Sequence, residues 1–389
     1  MSVFVSCGEV SGDIYASDLI QALLREGTVL PGERRKTCGI WGVMGPRSVQ
    51  AGGEAVWSYE ELKLMGFTEV IPAIPRILRL RNRITGEVLR RKPSVVVVID
   101  SPDFHFALVK KLRRAGYKGL TVFLATPTVW AWRGGRTRLL RDWFDLCLPL
   151  FLFEHEFLIA RGVCSRWEAH PLAKALDGYA PPLTLAERYH GARVVALMAG
   201  SRRYDIKYHL ARLIGTAELL RAEGLLPVFS IAPGLSASLQ KELKERVAGF
   251  ESWDGEGRGL MAISEAVAGV SGTVAVEAML LRRFMVVIYN GGWLSWAIAR
   301  ALVRVPHISI PNYLTDSPVY PELLKEEARP ENIVRELWTY LGNPVKKAEV
   351  DQRLESARKA MGSTDAAMFW ARAIAEALHA KASASLEKE

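Results

Sequence analysis

Short apolar runs recur along the chain, and the stretches between them carry apolar residues at every third or fourth position. The runs occupy residues 3–6, 95–99, 121–124, 146–150, 194–197, 227–231, 267–270 and 284–289. Runs without polar alternation are typical of parallel strands covered on both faces, and the helical period between them predicts crossover helices. The alternation therefore predicts an α/β protein made of repeated βα units.

The length and the proline positions predict two domains. The 389 residues exceed what one typical core holds, and paired prolines within residues 177–182 separate two blocks that each restart the strand-turn-helix order. We expect an N-terminal domain at 1–178, a second domain at 186–344, helices at 345–380 that return to the first domain, and a disordered tail at 381–389. Two doubly wound, Rossmann-like domains facing a cleft indicate a fold of the glycosyltransferase-B type.

Composition and charge restrict the class of partner without selecting one. Apolar residues make up 49% of the chain and charged residues 24%, as in globular proteins. The formal net charge of +9 favours an anionic partner. That partner could be a nucleic acid, a phosphorylated small molecule or an acidic membrane surface.

The cysteines and histidines predict no metal site. Cys7, Cys38, Cys147 and Cys164 share no metal-ligand spacing, and the seven histidines form no paired motif. Buried, reduced thiols favour the cytoplasm. The start of the chain lacks the pattern of a secretory signal, and no apolar run reaches the roughly 20 residues of a membrane span. We therefore expect a cytoplasmic protein without a metal or a bound cofactor.

The segment at residues 3–13 joins a strand to a helix through Gly8 and Gly12, with Glu9 and Ser11 between them. Glycines let the backbone approach a ligand closely, and the N–H groups that open the next helix face the same side. Ligands of open α/β sheets bind at such strand ends. The alternative is a structural turn in which Ser11 or Asp13 caps the helix, and the spacing alone leaves both open.

A second strand end places Asp100 directly after the run 95–99. We expect Ser101 as the N-cap and Pro102 as the first residue of the following helix, with Asp103 as an acid in its first turn. Asp100 has no such local role, and a partly desolvated carboxylate there could accept a proton from a substrate hydroxyl. A carboxylate bonded to neighbouring backbone N–H groups is the alternative.

Two glycine-containing loops in the second half have the composition of a diphosphate site. Gly200-Ser201-Arg202 follows the run 194–197, and its arginine could pair with a diphosphate through two hydrogen bonds. Ser271-Gly272-Thr273 opens a helix whose N–H groups suit the same anion, and Glu277 is spaced to accept hydrogen bonds from ribose hydroxyls. The alternatives are a solvated arginine beside a turn and a capped helix whose acid meets solvent.

Residues 62–83 interleave apolar side chains with arginines, which suits a helix at the interface of an anionic membrane. Pro72 and Pro75 favour a short, partly exposed segment over a regular buried helix. A core helix with a solvated basic face is the alternative, and the lack of stacking aromatics disfavours nucleic acid. The residues expected to face the membrane are Met65, Phe67, Ile71, Ile74, Arg76, Ile77, Leu78 and Arg79.

Seven segments, in their order along the chain, closely resemble the lipid-A-disaccharide synthase family of glycosyltransferases. The segments are residues 8–13, 65–70, 99–104, 127–133, 200–202, 271–273 with Glu277, and 310–312. The resemblance extends over nearly the whole chain, and its V-W-A-W-R and D-x-P-D-F motifs are highly specific.

The resemblance implies transfer of 2,3-diacylglucosamine from its UDP derivative to the 6-hydroxyl of 2,3-diacylglucosamine 1-phosphate. UDP leaves, the anomeric carbon inverts and a β-1,6 linkage forms. The resemblance implies Asp100 as the base, and Glu9 is a further catalytic candidate that would stabilise positive charge on the sugar. Acylated substrates imply peripheral contact with the inner face of an anionic inner membrane, and we expect a monomer or a homodimer.

The remaining site residues follow from the same resemblance. The donor side comprises Gly200, Ser201, Arg202, Ser271, Gly272, Thr273, Glu277 and Asn312, and the acceptor side or cleft comprises Gly8, Ser11, Gly12, Asp103, Trp132 and Arg133. The chain departs from the family pattern at His105, where asparagine is usual, at Ala199 and Leu152, where proline is usual, and at Ala169, where glycine is usual. These departures concern loop geometry more than chemistry.

Two other functions share part of this pattern. A UDP-sugar 2-epimerase would use the same scaffold and diphosphate helix but would need no lipid surface. A non-catalytic membrane protein that binds a sugar nucleotide would need no base at Asp100.

Overall fold

The computed structural model describes residues 2–26, 39–62, 70–291 and 305–386. Its contacts divide the chain into two compact units: unit 1 comprises Met1–Pro171 and Ser363–Glu389, and unit 2 comprises Leu172–Gly362. Among the described residues we number strands and helices in chain order. The strands are β1 Ser2–Cys7, β2 Gly39–Met44, β3 Glu54–Ser58, β4 Val95–Ile99, β5 Leu120–Leu124, β6 Leu146–Leu148, β7 Val194–Met198, β8 Leu226–Ser230, β9 Glu251–Trp253, β10 Ala266–Val270, β11 Phe284–Tyr289 and β12 Glu322–Leu324.

The helices alternate with these strands, as the βα pattern predicts. They are α1 Val10–Glu26, α2 Pro46–Gln50, α3 Val70–Arg91, α4 Pro102–Arg114, α5 Thr137–Trp143, α6 Leu152–Ile159, α7 Pro171–Ala175, α8 Leu183–Arg188, α9 Arg203–Ala222, α10 Ala237–Arg246, α11 Gly257–Ile263, α12 Thr273–Leu280, α13 Pro330–Leu341, α14 Pro344–Lys359 and α15 Ala366–Leu386.

Each unit contains one six-stranded parallel sheet, and the two sheets have the same topology. The strand order is β3-β2-β1-β4-β5-β6 in unit 1 and β12-β11-β10-β7-β8-β9 in unit 2. Read from the first strand of each unit, both orders are 3-2-1-4-5-6, the doubly wound arrangement. The order reverses direction between β1 and β4 in unit 1 and between β7 and β10 in unit 2, so each unit has one topological switch point.

The central strands are buried on both faces, which explains why their sequences lack polar alternation. All five residues of β4 are fully buried, and they pair with β1 on one side and β5 on the other. Each of the eight predicted apolar runs forms a strand of one of the two sheets. Four further strands, β2, β3, β9 and β12, carry no such run and were not predicted.

The boundary between the units differs from the expected one. Unit 2 begins at Leu172, so residues 177–182 lie within it. They pack there because Asp177 forms an ion pair with Arg358 of α14 and because Gly259 of α11 closely approaches the Pro182 ring. The prolines therefore interrupt helical structure without separating the two units.

The C-terminal helices also divide differently from the expectation. α15 belongs to unit 1, where Trp370 is almost fully buried and the Lys381 ammonium donates to the Gly119 carbonyl at 3.1 Å and the Asp145 carboxylate at 2.8 Å. α14 belongs to unit 2, although it was expected to pack on the N-terminal domain. The expected tail at 381–389 is helical as far as Leu386, because Lys381 anchors that turn; residues 387–389 lie outside the described part.

The segment expected to meet the membrane forms one helix, α3, of 22 residues, instead of a short segment. Pro72 lies in the first turn, where backbone N–H groups have no intrahelical partner to lose, and Pro75 lies inside the helix, where it removes one backbone hydrogen bond without ending the helix. Leu80, Ile84 and Val88 are buried at a spacing of four residues. Ile74 and Leu78 point to solvent on another part of the helix, 44% and 40% exposed.

The other residues that were expected to face the membrane differ in exposure, and some of them are not described. Ile77 is half-buried, and Arg76 and Arg79 are exposed. Met65 and Phe67 lie outside the described residues, and Ile71 lies in α3 within a turn whose side chains are not described. Within the described ranges, no helix is both long enough and apolar enough to cross a membrane.

Candidate functional site

The candidate residues of unit 1 lie at its switch point. Gly8 follows β1 and Asp100 follows β4, and these two strands are neighbours in the sheet. Because parallel strands end at the same edge, both segments reach the carboxyl edge where the strand order reverses, which is where ligands of open α/β sheets bind. The fold therefore brings together two motifs that lie far apart in sequence: Gly8 and Asp100, which share a hydrogen bond, are 92 residues apart.

The backbone at Asp100 turns sharply out of β4. Asp100 has φ 55° and Ser101 has φ 41°, so two consecutive residues other than glycine adopt the left-handed conformation. The Gly8 backbone N–H donates to Asp100 Oδ1 at 2.9 Å. The second carboxylate oxygen, Oδ2, is buried and has no hydrogen-bond partner among the described residues.

Gly8 and Gly12 are required by close approach to this turn. A Cβ atom on Gly12 would lie 1.9 Å from Asp100 Oδ2, and a Cβ atom on Gly8 would lie 1.9 Å from Ser101 Oγ. A side chain at Gly12 would therefore displace the Asp100 carboxylate, and one at Gly8 would displace the Ser101 hydroxyl. The two glycines form a notch, the glycine notch, in which the Asp100 carboxylate sits.

Burial in the glycine notch sets the electrostatics of Asp100. Burial raises the pKa of its carboxyl group to about 7, and the nearby charge of Glu9 adds to this, although hydrogen bonds from Ser101 and Gly8 act in the opposite direction. A carboxylate with a pKa near neutrality is suited to accept a proton at physiological pH. The Asp100 Oδ1 therefore bonds a backbone N–H group, as the alternative interpretation expects, and the role of the carboxylate as a base stays a prediction.

Ser101 occupies the expected N-cap position of α4, but its side chain makes no capping hydrogen bond. Its left-handed backbone directs the hydroxyl toward Gly8 and the Asp100 carboxyl group instead. Asp103 lies in the first turn of α4, as expected, and forms ion pairs with Arg136 and, at 3.5 Å, with Arg133. The Arg133 guanidinium also stacks over the Trp132 ring at 4.4 Å, so these three expected site residues form one exposed cluster.

The remaining residues of the first turn have separate roles. Ser11 and Glu9 are exposed at the start of α1. Asp13, considered as a cap of its own helix, instead caps α2: its buried carboxylate accepts from the N–H groups of Gly45 and Arg47 at 3.0 Å and of Ser48 at 3.1 Å. This contact fixes the loop after β2 beside the glycine notch, and sequence reasoning missed it.

Unit 2 places its two glycine loops at the equivalent switch point, after the neighbouring strands β7 and β10. Gly200 has φ 99°, and a Cβ atom there would lie 2.4 Å from the Asp205 side chain, so the loop needs glycine for both conformation and space. Ser201 and Arg202 are exposed, and Arg202 occupies the N-cap position of α9.

The second loop opens α12. Gly272 is its N-cap with φ 134°, Gly272 and Thr273 are exposed, and the Ser271 hydroxyl donates to the Ile308 carbonyl at 3.1 Å. Glu277 is half-buried on the same helix. Burial raises the pKa of its carboxyl group to about 7, and the opposing charge of Arg258 limits the shift.

Asn312 is buried, and its side chain is fully engaged within unit 2. Its amide donates to the Tyr320 carbonyl at 2.9 Å and to Glu322 at 2.8 Å, and its oxygen accepts from the N–H groups of Val319 and Tyr320. Glu322, which sequence reasoning missed, also accepts from the N–H groups of Ile308 and Ser309. Asn312 thus holds the segment that Ser271 contacts, and its direct contact with a donor stays a prediction.

We find no cluster of potential metal ligands in the parts of the chain that the structure describes. No group of three or more His, Cys, Asp or Glu side chains comes together there in a way that could hold an ion. Of the cysteines, Cys7 and Cys147 are buried free thiols, Cys164 is an exposed free thiol, and Cys38 lies outside the described residues.

Comparison with known proteins gives one consistent result. Lipid-A-disaccharide synthase of Anaeromyxobacter dehalogenans is 33% identical over 375 residues, which cover 94% of each chain. The same enzyme of Pseudomonas aeruginosa is 34% identical over 377 residues, which cover 94% of this chain and 96% of the relative. Among solved structures, UDP-GlcNAc 2-epimerase of Neisseria meningitidis bound to UDP-GlcNAc matches with a TM-score of 0.56 and 13% identity over 100% of each chain.

The likeness to the epimerase concerns the fold alone, since so low an identity carries no function. It does confirm the expected glycosyltransferase-B architecture, which epimerases of this type share. The likeness to the synthases covers both fold and sequence, and the family model of lipid-A-disaccharide synthetase matches residues 3–372. The chain therefore belongs to the lipid-A-disaccharide synthetase family and is a glycosyltransferase of lipid A biosynthesis.

Proposed function

We propose that the chain transfers 2,3-diacylglucosamine from its UDP derivative to the 6-hydroxyl of 2,3-diacylglucosamine 1-phosphate, with Asp100 as the general base. The observation that carries this proposal is the Asp100 carboxylate itself, buried at the switch point of unit 1 with its Oδ2 unpaired. The family supplies the reaction class, and the geometry of this carboxylate supplies the residue that starts it.

The chemistry is one in-line displacement. Asp100 Oδ2 accepts the proton of the acceptor 6-hydroxyl while that oxygen attacks the anomeric carbon of the donor. The bond from this carbon to the diphosphate oxygen breaks, and its electron pair leaves with UDP. The carbon is attacked on the side opposite the leaving group, so its configuration inverts. Glu9, whose charge already acts on Asp100, is the further candidate to stabilise positive charge on the sugar.

The leaving diphosphate needs positive charge and N–H donors. Arg202 and the exposed start of α12 at Gly272 and Thr273 supply both, and Glu277 is placed one turn further on to accept from the ribose hydroxyls. These groups neutralise the diphosphate without help from an ion, so we propose that the transfer requires no divalent cation and no cofactor.

Both acylated substrates reside in a membrane leaflet, and α3 offers a surface for that leaflet. Ile74 and Leu78 are exposed beside Arg76 and Arg79, a combination that inserts apolar side chains while pairing arginines with anionic headgroups. We therefore propose a cytoplasmic protein that binds peripherally to the inner face of the inner membrane through α3.

Replacing Asp100 by asparagine tests the base directly. Asp100→Asn keeps the shape of the side chain and the hydrogen bond from Gly8 but removes the proton acceptor, so we expect turnover to fall by about 100-fold or more. The affinity for UDP, measured by calorimetry on the same sample, should stay within about twofold. A variant that turns over at the wild-type rate would exclude Asp100 as the base.

The pKa of Asp100 predicts opposite effects of pH on activity and on stability. The base works only when ionised, so kcat/KM should rise with pH up to about 7. Folding disfavours that same ionised form, so the free energy of unfolding should fall as the pH rises from about 4 through 7. Asp100→Asn cannot ionise and avoids this loss, so it should be more stable than the wild type at pH 8 by about 4 kcal/mol in urea denaturation. Equal stabilities at pH 8 would contradict a buried, ionised Asp100.

Glu277 is expected to act on donor binding. Glu277→Ala removes the acceptors for the ribose hydroxyls, so the donor KM should rise about 10-fold while kcat changes little. Glu265→Ala is the matched control, because Glu265 directly precedes β10 at the opposite edge of the sheet, where it pairs with Arg193. Assays run in EDTA throughout also test the proposal that no divalent cation is needed. An unchanged donor KM in Glu277→Ala counts against its role.

The apolar surface of α3 is testable with vesicles. The double variant Ile74→Ser, Leu78→Ser should bind vesicles containing anionic phospholipid at least about 10-fold more weakly, because two exposed apolar side chains no longer enter the bilayer. Leu183→Ser removes a leucine of unit 2 that is even more exposed, at 78%, and should bind as the wild type does. Undiminished binding of the double variant would argue that α3 is not the contact surface.

A further inference from the structure

We propose that His105 is a positioning residue for Asp100: its imidazole holds the Asp100 carbonyl and, through it, the left-handed backbone that keeps the carboxylate in the glycine notch. This inference rests on the proposed role of Asp100 as the base. His105 itself lies in the first turns of α4 and is completely buried, so it acts on the reaction only through Asp100.

His105 makes two hydrogen bonds, one with each ring nitrogen. Nδ1 lies 2.7 Å from the carbonyl oxygen of Asp100, and Nε2 lies 2.8 Å from the hydroxyl of Ser6 on β1. Ser6 is also completely buried. The imidazole therefore connects the two strand ends that form the site, β1 and β4, through the interior beneath the glycine notch.

The partners determine which nitrogen carries the proton. A carbonyl oxygen only accepts, so Nδ1 must be protonated and must donate to Asp100. Burial lowers the pKa of His105 to about 4, so the ring is neutral near pH 7 and Nε2 has a lone pair that accepts from the Ser6 hydroxyl. The result is a directed chain in which Ser6 donates to His105 and His105 donates to the Asp100 carbonyl.

These hydrogen bonds act on the backbone of Asp100, which has an unfavourable conformation. Left-handed backbone is disfavoured for residues other than glycine, and Asp100 and Ser101 adopt it in succession. The His105 hydrogen bond is made only when the Asp100 carbonyl points inward, so it favours the observed turn. Without it, the carbonyl loses its partner and the segment can relax toward an ordinary conformation that carries the carboxylate out of the notch.

The ring is itself held in place. The Phe104 and Phe123 rings contact it edge to face, with centroids 5.4 and 6.5 Å away. A side chain fixed on several sides can hold a backbone carbonyl within the narrow tolerance that proton transfer requires.

Two amide substitutions separate this role from simple filling of the core. In His105→Asn, Nδ2 is the same number of bonds from Cα as Nδ1 of the histidine, so it can still donate to the Asp100 carbonyl. In His105→Gln the amide lies one bond further out and misses that position. We expect His105→Asn to keep kcat within about threefold of the wild type, and His105→Gln to lose about 10- to 100-fold in kcat, with the donor KM of both within about twofold.

A matched control and a double variant complete the experiment. Val109→Ala removes buried volume from the same helix without touching Asp100 and should leave kcat within about twofold. Combining His105→Gln with Asp100→Asn should lower the residual turnover no further than Asp100→Asn alone, because a positioning residue has nothing left to position once the base is gone.

The outcomes distinguish this inference from the function on which it rests. If Asp100→Asn keeps the wild-type rate, the proposed base is wrong and so is this inference. If Asp100→Asn is inactive but His105→Gln turns over normally, or if Asn and Gln at 105 are equally defective, the base stands and the positioning role is overturned. A further loss in the double variant would likewise show that His105 acts on something other than Asp100.

Discussion

The close approach of the chain at Gly12 to the carboxylate of Asp100 is the constraint on which the candidate site depends. No Cβ fits between them, so the carboxylate lies against bare backbone and loses much of its hydration. This loss of hydration is what moves its pKa toward neutrality. Other parts of unit 1 maintain this contact. Parallel pairing of β1 with β4 fixes the two strand ends at the same edge. The buried side chains of His105 and Asp13 hold the adjoining turns through hydrogen bonds.

The sequence predicts the strands that form apolar runs, whether they are central or at an edge, and four other strands could not be predicted. A strand such as β4 is buried on both faces and must be apolar throughout, which the sequence displays directly. β3, β9 and β12 each begin with a glutamate and contain at most three consecutive apolar residues, so they form no recognisable run, whereas the short edge strand β6 is wholly apolar. β2 is internal, but Gly42 interrupts its apolar residues, because a Cβ there would strike the Val5 backbone.

The candidate site divides along a similar line. Asp100, Gly8, Gly12, Gly200 and Gly272 could be predicted because each belongs to a local motif at a strand end. Asp13, Glu322 and His105 could not be assigned their contacts, because their partners come from other elements: His105 and Ser6, for example, are 99 residues apart. Sequence spacing reports what a residue does within its own turn, whereas a buried polar side chain is explained only by the groups that the fold brings to it.

The return of α15 to unit 1 has a consequence for biosynthesis. Unit 2 is one continuous stretch of chain, whereas unit 1 lacks a buried helix, including Trp370, until the last segment is made. The ribosome makes the chain from its N-terminus. Unit 2 is therefore complete before unit 1, although the synthesis of unit 1 starts first. The nascent first unit must wait with an apolar groove beside α1 uncovered, and this interval is when the protein is most exposed to aggregation and most dependent on chaperones.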